Sequence, residues 1–361
     1  MSLSESIIED GECRVVLDNG SYMVRAGYAG EENPYSEIMT ITSCENNEDW
    51  HVGEAAKHRR GIKSKPITDG MIEDFEGMKK IWSFIFDHEL KFKTKNMSLL
   101  VADCPMNPKI YREKMLEEFF EYYAFGRVSI QLSPVLAIFS SSCLTGLSLD
   151  VGLDSYSLVS VIEGHSDLET NIKVNLGGSD INKHLLKILN EKGINLYSEE
   201  GFHIVEDLKK TKCFLTYDQR KVGEQNECVY ELPDGQKLEI GQCVSLAPEC
   251  LFKPSLFGRE ELDLAEYCRM AIDSHSSKEI QGIISKNIFL SGSTVKLKGF
   301  EQRLFQEINR EQIRIPRQYA PNHNIWTGGS IFASTITLEN NSITHRDYEE
   351  KGPFSIHQTI L

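Results

Sequence analysis

The stretch Arg14-Val-Val-Leu-Asp18-Asn19-Gly20-Ser21-Tyr22-Met23-Val24-Arg25-Ala-Gly-Tyr28 decides the fold. An apolar run ends in Asp18, Asn19-Gly20 makes a turn, and a second apolar run leaves it. Asn-Gly between apolar runs is a strong hairpin signal. The pattern returns at Gly146-Leu-Ser-Leu-Asp150-Val151-Gly152, followed by Ser157-Leu-Val-Ser-Val-Ile162. Two hairpins that each carry Leu-Asp-x-Gly point to two related lobes.

Outward from these hairpins, helical and strand patterns alternate. Phe75, Met78, Ile81, Trp82, Ile85, Phe86 and Leu90 recur at helical spacing. Ser98 to Asp103 is a short apolar strand. Tyr111 to Tyr123 predicts a helix with Met115, Leu116, Phe119 and Phe120 inward. Asp180 to Glu191, Ile204 to Phe214, Glu261 to Ile272 and Gly299 to Asn309 read as helices, and Asn287 to Ser291 as a strand. Tyr230 to Ile240 reads as a hairpin around Pro233-Asp-Gly235. Trp326-Thr-Gly-Gly329 is expected to lead into a last helical segment at Ile331 to Leu338. The alternation predicts an α/β protein with helix-covered sheets.

The 361 residues allow two or three domains or one bilobal unit. Lys and Arg number 39 against 54 Asp and Glu, a net charge of −15. That argues against direct, sequence-independent nucleic-acid binding, which needs a basic face. His58-Arg59-Arg60 with Lys63 and Lys65 is the best local basic patch, and a solvated loop is its simpler reading. The nine cysteines contain no CxxC pair and read as reduced thiols filling the core. Met1 to Cys13 is polar and acidic rather than a cationic leader, and no apolar run reaches membrane-spanning length. The expectation is a cytoplasmic protein with no membrane contact, the nucleus not being excluded.

Three glycine turns follow short apolar strands: Asp18-Asn19-Gly20-Ser21, Asp150-Val151-Gly152 and Ser291-Gly292-Ser293-Thr294. Glycine lets backbone N–H groups approach a phosphate with no Cβ between them. An aspartate just before such a turn can hold the waters of a divalent cation, which prefers one or two carboxylates, water and phosphates. Arg25 could neutralise outer phosphates. P-loop and Rossmann fingerprints are both absent. The ten scattered histidines form no HExxH-type pair. Cys213, near Lys209 and Lys212, could be a lowered-pKa thiol, with core packing the simpler reading.

Along nearly its whole length the chain resembles the actin family. Asp18 to Gly30 is similar to the family's first phosphate loop, and Val52-Gly-Glu-Ala-Ala with Arg60-Gly61 to the stretch after its DNase-binding loop. Asn107-Pro-Lys-Ile-Tyr-Arg-Glu-Lys-Met115, Tyr230 to Gly235, Leu290-Ser-Gly292, Trp326-Thr-Gly-Gly-Ser-Ile331 and Glu349 to Pro353 continue the likeness. The resemblance implies an actin-like ATPase-domain fold: two lobes, four subdomains, around a nucleotide cleft. The first lobe would take residues 1–140 and 324–361, with a small subdomain at about 38–65. The second would take 141–323, with a small subdomain at about 177–260.

It also implies ATP or ADP with magnesium or calcium. By motif match Asp18 and Asp150 would hold the cation through water. Asn19, Gly20, Ser21, Tyr22, Arg25, Gly152 and Asp154 would line the phosphates. Gly178, Lys209, Gly292, Ser293 and Thr294 would approach the sugar and base. Partners would be other actin-family subunits or actin-binding proteins.

Four departures stand out. Tyr22 replaces a glycine of the first loop. The second loop reads Asp150-Val151-Gly152-Leu153-Asp154-Ser155, with Leu153 for its second aspartate and Ser157 for a following histidine. Ser133 stands where the water-orienting glutamine belongs, Gln131 being a weak substitute two residues away. Ile38 to His51 is shorter than the family's subunit-gripping loop and carries the acidic run Glu45-Asn-Asn-Glu-Asp49, and the C-terminus lacks the usual Cys-Phe pair. Together these lead to the expectation of a divergent actin-related structural or regulatory subunit that is at most a slow ATPase. The alternatives are a polymerising cytoskeletal actin, a subunit of a dynactin-like or chromatin-remodelling complex, and a small-molecule kinase of the same ancestral fold.

Overall fold

A computed structural model describes residues 13–46, 48–95, 97–167, 170–217, 228–232, 234–309, 323–335 and 337–360. From the N-terminal side come β1 (Arg14–Asn19), β2 (Met23–Tyr28), β3 (Ser36–Met39), β4 (Thr42–Glu45) and β5 (Asp49–Val52). Then follow α1 (Glu54–His58), β6 (Ile62–Ser64), β7 (Ile67–Thr68), β8 (Met71–Ile72) and α2 (Phe75–Ser83). β9 (Ser98–Asp103), α3 (Lys109–Glu117), β10 (Arg127–Leu132) and α4 (Ser133–Phe139) complete this stretch. The middle holds β11 (Gly146–Val151), β12 (Tyr156–Ile162), β13 (His165–Ser166), β14 (Ile172–Val174), α5 (Gly178–Glu191) and α6 (Glu199–Lys212). β15 (Val229–Glu231), β16 (Lys237–Glu239), α7 (Cys243–Leu246), α8 (Leu264–Asp273), α9 (Lys278–Lys286), β17 (Ile288–Ser291) and α10 (Phe300–Ile308) follow. The chain closes with α11 (Asn324–Ala333), α12 (Thr337–Asn340), β18 (Ile343–Thr344) and α13 (His345–Lys351).

The chain divides into two compact units: Met1–Ser148 with Val159–Asn171 and Gln318–Leu361, and Leu149–Leu158 with Ile172–Arg317. The first unit is built on a six-stranded sheet in the order β18-β10-β9-β1-β2-β3. β10, β9 and β1 run parallel, and the hairpin β1–β2 and then β3 extend the sheet antiparallel. Alternation along the central strands feeds two cores. Val15, Leu17, Leu99 and Val101 enter a large cluster with Trp82, Phe86, Phe119 and Phe125. Val16, Leu100 and Ala102 enter a smaller one with Leu136, Trp326 and Phe332. The seven apolar positions expected on the helix from Phe75 to Leu90 are all buried. From Phe84 that helix widens into π turns, as does the one after α3 over Glu118–Tyr122.

One expectation changes. Trp326-Thr-Gly-Gly329 does not precede the last long helix but lies inside it, as part of α11. The reason is close packing. A Cβ on Gly328 would sit 1.7 Å from the carbonyl oxygen of Leu136 in α4, and one on Gly329 would sit 2.8 Å from Val16 Cγ1. Trp326 Nε1 then donates to the carbonyl of Val16 at 3.2 Å. Glycines that would weaken an isolated helix are what let this one reach the sheet. The segment Ile38 to His51 is mostly strand, with β4 and β5 paired down to Glu45 opposite Asp49.

In the second unit β11 lies between β12 and β17, and β14 pairs antiparallel with β12. The expected hairpin at Tyr230 to Ile240 is β15–β16, with Gly235 at φ 87° and Pro233 outside the described residues. Arg303 is fully buried and forms a two-pronged pair with Glu249 at 2.8 and 2.9 Å. Its Nε donates to Glu307, and Nη1 also donates to the carbonyl of Thr216. A buried guanidinium is tolerated because each face of its fork is matched.

Gly328→Ala should destabilise the protein by about 3 kcal/mol or more in urea unfolding, since the methyl group meets backbone. Gly282→Ala, in α9 with nothing within 4 Å of its Cβ position, should instead stabilise by about 0.5–1 kcal/mol.

Candidate functional site

The two Leu-Asp-x-Gly turns close in the same way. Gly20 N donates to the carbonyl of Met23 at 3.2 Å, and Gly152 N to that of Ser155 at 2.9 Å. Each leaves a two-residue tip, Ser21-Tyr22 in one and Leu153-Asp154 in the other. Asp154 therefore corresponds to Tyr22, and Leu153 to Ser21. Neighbouring strands hold the first tip. Thr40 Oγ1 donates to the Gly20 carbonyl at 2.6 Å, Thr40 N to the Tyr22 carbonyl at 3.0 Å, and Gly70 N to Ser21 Oγ at 3.2 Å.

Asp18 is buried at the end of β1 and takes a hydrogen bond from Arg25 Nη1 at 3.4 Å. Asn19 Oδ1 accepts the indole N–H of Trp82 at 3.1 Å, which assigns its amide orientation. Its Nδ2 is buried with no partner among the described residues. An unmatched buried donor is costly, so it marks a place where an acceptor belongs.

The second unit gathers more of the expected residues. The Gly152 carbonyl accepts from Gly178 N at 3.0 Å and from Thr294 Oγ1 at 2.8 Å. Ser179 N donates to the Leu153 carbonyl, so the opening amides of α5 are satisfied by the turn. Ser291 Oγ donates to Asp150 Oδ1 at 2.8 Å. Gly292 has φ 89°, and a Cβ there would lie 2.3 Å from the Val151 carbonyl. Ser293 is exposed beside it. Lys209 is buried, and its ammonium donates to the Gly178 carbonyl at 2.9 Å. Burial pushes Lys209 down to about 8, with Glu206 and Asp154 opposing that fall. A desolvated cation held by a neutral carbonyl suits an anionic or electron-rich ligand.

Asp18, Asn19, Gly20, Ser21, Tyr22 and Arg25 thus form one group in the first unit. Asp150, Gly152, Asp154, Gly178, Lys209, Gly292, Ser293 and Thr294 form one in the second. Each group offers one strand-end aspartate suited to a hydrated divalent cation. Each also offers a donor with hydrogen-bonding capacity to spare: Asn19 Nδ2 in one, the Lys209 ammonium in the other. These residues fit a nucleotide and cation. Sequence reasoning missed Thr40 and Glu37, the latter of which accepts from Arg25 Nε at 3.1 Å. Their only signal was cross-strand pairing, legible once β3 is placed.

A family profile described as Actin matches residues 9–360. The chain belongs to the actin family. Members of that family generally bind an adenine nucleotide with a divalent cation. The mixed α/β architecture is that of an actin fold.

Ser133 and Gln131, the two residues weighed for the water-orienting role, have clear surroundings. Ser133 opens α4 and is buried. Gln131 is fully buried on β10, its Nε2 donating to Ser129 Oγ, the Asn341 carbonyl and the Thr359 carbonyl at 3.0, 3.2 and 2.8 Å. Its amide nitrogen therefore fastens the C-terminal segment to the sheet. Cys213 is not an activated thiol, since burial pushes it up to about 12 despite Lys209. In the basic stretch, His58 pairs with Glu54 and Lys63 donates to the Lys57 carbonyl, while Arg59 and Arg60 are exposed. Among the described residues no three His, Cys, Asp or Glu side chains are placed to hold a metal, and no helix is long and apolar enough to cross a membrane.

Lys209 yields a pH test. Its folded pKa lies below the unfolded value, so the folded state loses its proton first. The burial penalty is present in full below about pH 8 and is relieved between about pH 8 and 10.5, so stability should rise with pH across that window. Lys209→Met should stabilise the nucleotide-free protein by about 2 kcal/mol at neutral pH. That advantage should vanish by about pH 10.5 in paired urea titrations.

Proposed function

We propose that the chain is a divergent actin-related protein, a structural or regulatory subunit that binds ATP or ADP with magnesium or calcium and hydrolyses it slowly or not at all. The observation that carries this is the fate of the glutamine. Ser133 occupies its matched position with a short hydroxyl, and Gln131 uses its amide nitrogen to hold the C-terminal segment. Hydrolysis of a phosphoanhydride is mainly a matter of positioning water and stabilising charge, so losing the orienting amide costs orders of magnitude.

When bound, the cation would offset charge on the phosphates. Asp18 and Asp150 would hold its waters, the Gly20 and Gly152 turns would approach the phosphates, and Lys209 would meet the sugar and base. A bound nucleotide stabilises the folded state by mass action. In this reading the lobes are residues 1–140 with 324–361, and 141–323.

A non-polymerising role is supported by β4–β5. Three residues separate Glu45 from Asp49, and Asn46 stands at φ 54°. The tip is polar and acidic, without the apolar surface that a subunit contact buries. Partners would be other actin-family subunits or actin-binding proteins, in a cytoplasmic, cytoskeletal setting.

Single-turnover phosphate release tests this reading. Radiolabelled Mg-ATP loaded onto the purified protein should remain intact for hours, at least about 100-fold slower than a conventional actin assayed alongside. The protein should stay in the supernatant under polymerising salt. Release at the conventional rate together with sedimenting filaments would establish a polymerising ATPase instead.

A further inference from the structure

Asp18, Arg25 and Glu37 are successive cross-strand partners on β1, β2 and β3. They therefore form one row on one face of the sheet. Arg25 Nη1 donates to Asp18 Oδ2 at 3.4 Å, and Nε to Glu37 Oε2 at 3.1 Å. The other Glu37 oxygen lies 3.2 Å from His323 Nε2. His323 is the residue on which α11 begins. The row thus runs from the aspartate of the first turn to a histidine. Arg25 is only 11% exposed and Glu37 37%, so water screens this pair in part.

Among the described residues, Glu31 and Glu32 lie close by in the turn after β2, and their carbonyls accept from Ser330 and Thr327 of α11. α4, the helix packed against α11, has no charged residue. Glu339, in α12, is paired with Arg14.

Building on the nucleotide-binding reading, we propose that Glu37 is a positioning residue of the phosphate site, competing with Asp18 and with bound polyphosphate for the Arg25 guanidinium. An arginine fork can serve two acceptors, and here it serves two carboxylates. The Glu37 carboxylate offsets part of the guanidinium's charge; with a neutral group at position 37, Arg25 presents a stronger positive field to Asp18 and to any phosphate beside it.

The test uses the full-length, nucleotide-free protein and Mg-ATP as probe. Wild type, Glu37→Gln and Glu37→Asp are compared by equilibrium dialysis in one buffer. Glu37→Gln should bind about threefold or more tighter than wild type, and Glu37→Asp should behave as wild type. If Mg-ATP binds wild type but Glu37→Gln shows equal or weaker affinity, this inference is overturned and the nucleotide reading stands. If Mg-ATP does not bind wild type, both fail.

Discussion

An amide two residues beyond an aspartate must reach back across a two-residue tip, and both candidate loops depend on that closure. It requires a residue without a side chain. A Cβ on Gly20 would sit 2.7 Å from the Met23 carbonyl, and one on Gly152 would sit 3.3 Å from that of Ser155. The first is a clash and the second a tight contact. Once closed, the turns organise what surrounds them. The first gives its carbonyls to Thr40 on the exit from β3. The second gives the Gly152 carbonyl to α5 and to Thr294 after β17, and the Leu153 carbonyl to Ser179. The same turn thus places an aspartate, a glycine and a two-residue tip in each unit, as the repeated sequence implies.

That repetition was legible because it rests on local chemistry: apolar alternation, Asp-x-Gly and a turn residue. The helix faces were legible for the same reason, with Met115, Leu116, Phe119 and Phe120 all buried as expected. Features set by neighbours distant in sequence were not. Gly328 and Gly329 read as a break before a helix, yet they lie within one because α11 must press against α4 and β1. The acidic tip at Glu45 to Asp49 could be read as polar, but its tightness depends on β4 pairing with both β5 and β6. Gln131 showed its spacing from Ser133, whereas its three acceptors come from residues 129, 341 and 359. Glu37 drew no notice because Ser36-Glu-Ile-Met39 has no strand signal until β2 is there to pair with it.

Charge is handled differently in the two units. In the second, Arg303 is buried and matched by carboxylates, which holds the structure and leaves no cation for a ligand. Lys209 is buried without such a match, which costs stability and leaves a cation facing the Gly178 carbonyl. In the first unit Arg25 is shared between two carboxylates, and its pull on anything else depends on how firmly each holds it. Strain and unmatched charge of this kind gather where a ligand repays them.

The central claim of the proposed function is that the Asp-x-Gly turns are phosphate-binding turns. Amide hydrogen exchange of the nucleotide-free protein, with and without saturating Mg-ATP, tests it most directly. The account predicts that Mg-ATP slows exchange in peptides covering Gly20 to Met23 and Gly152 to Ser155. Unchanged exchange in these turns while ATP is bound would contradict it.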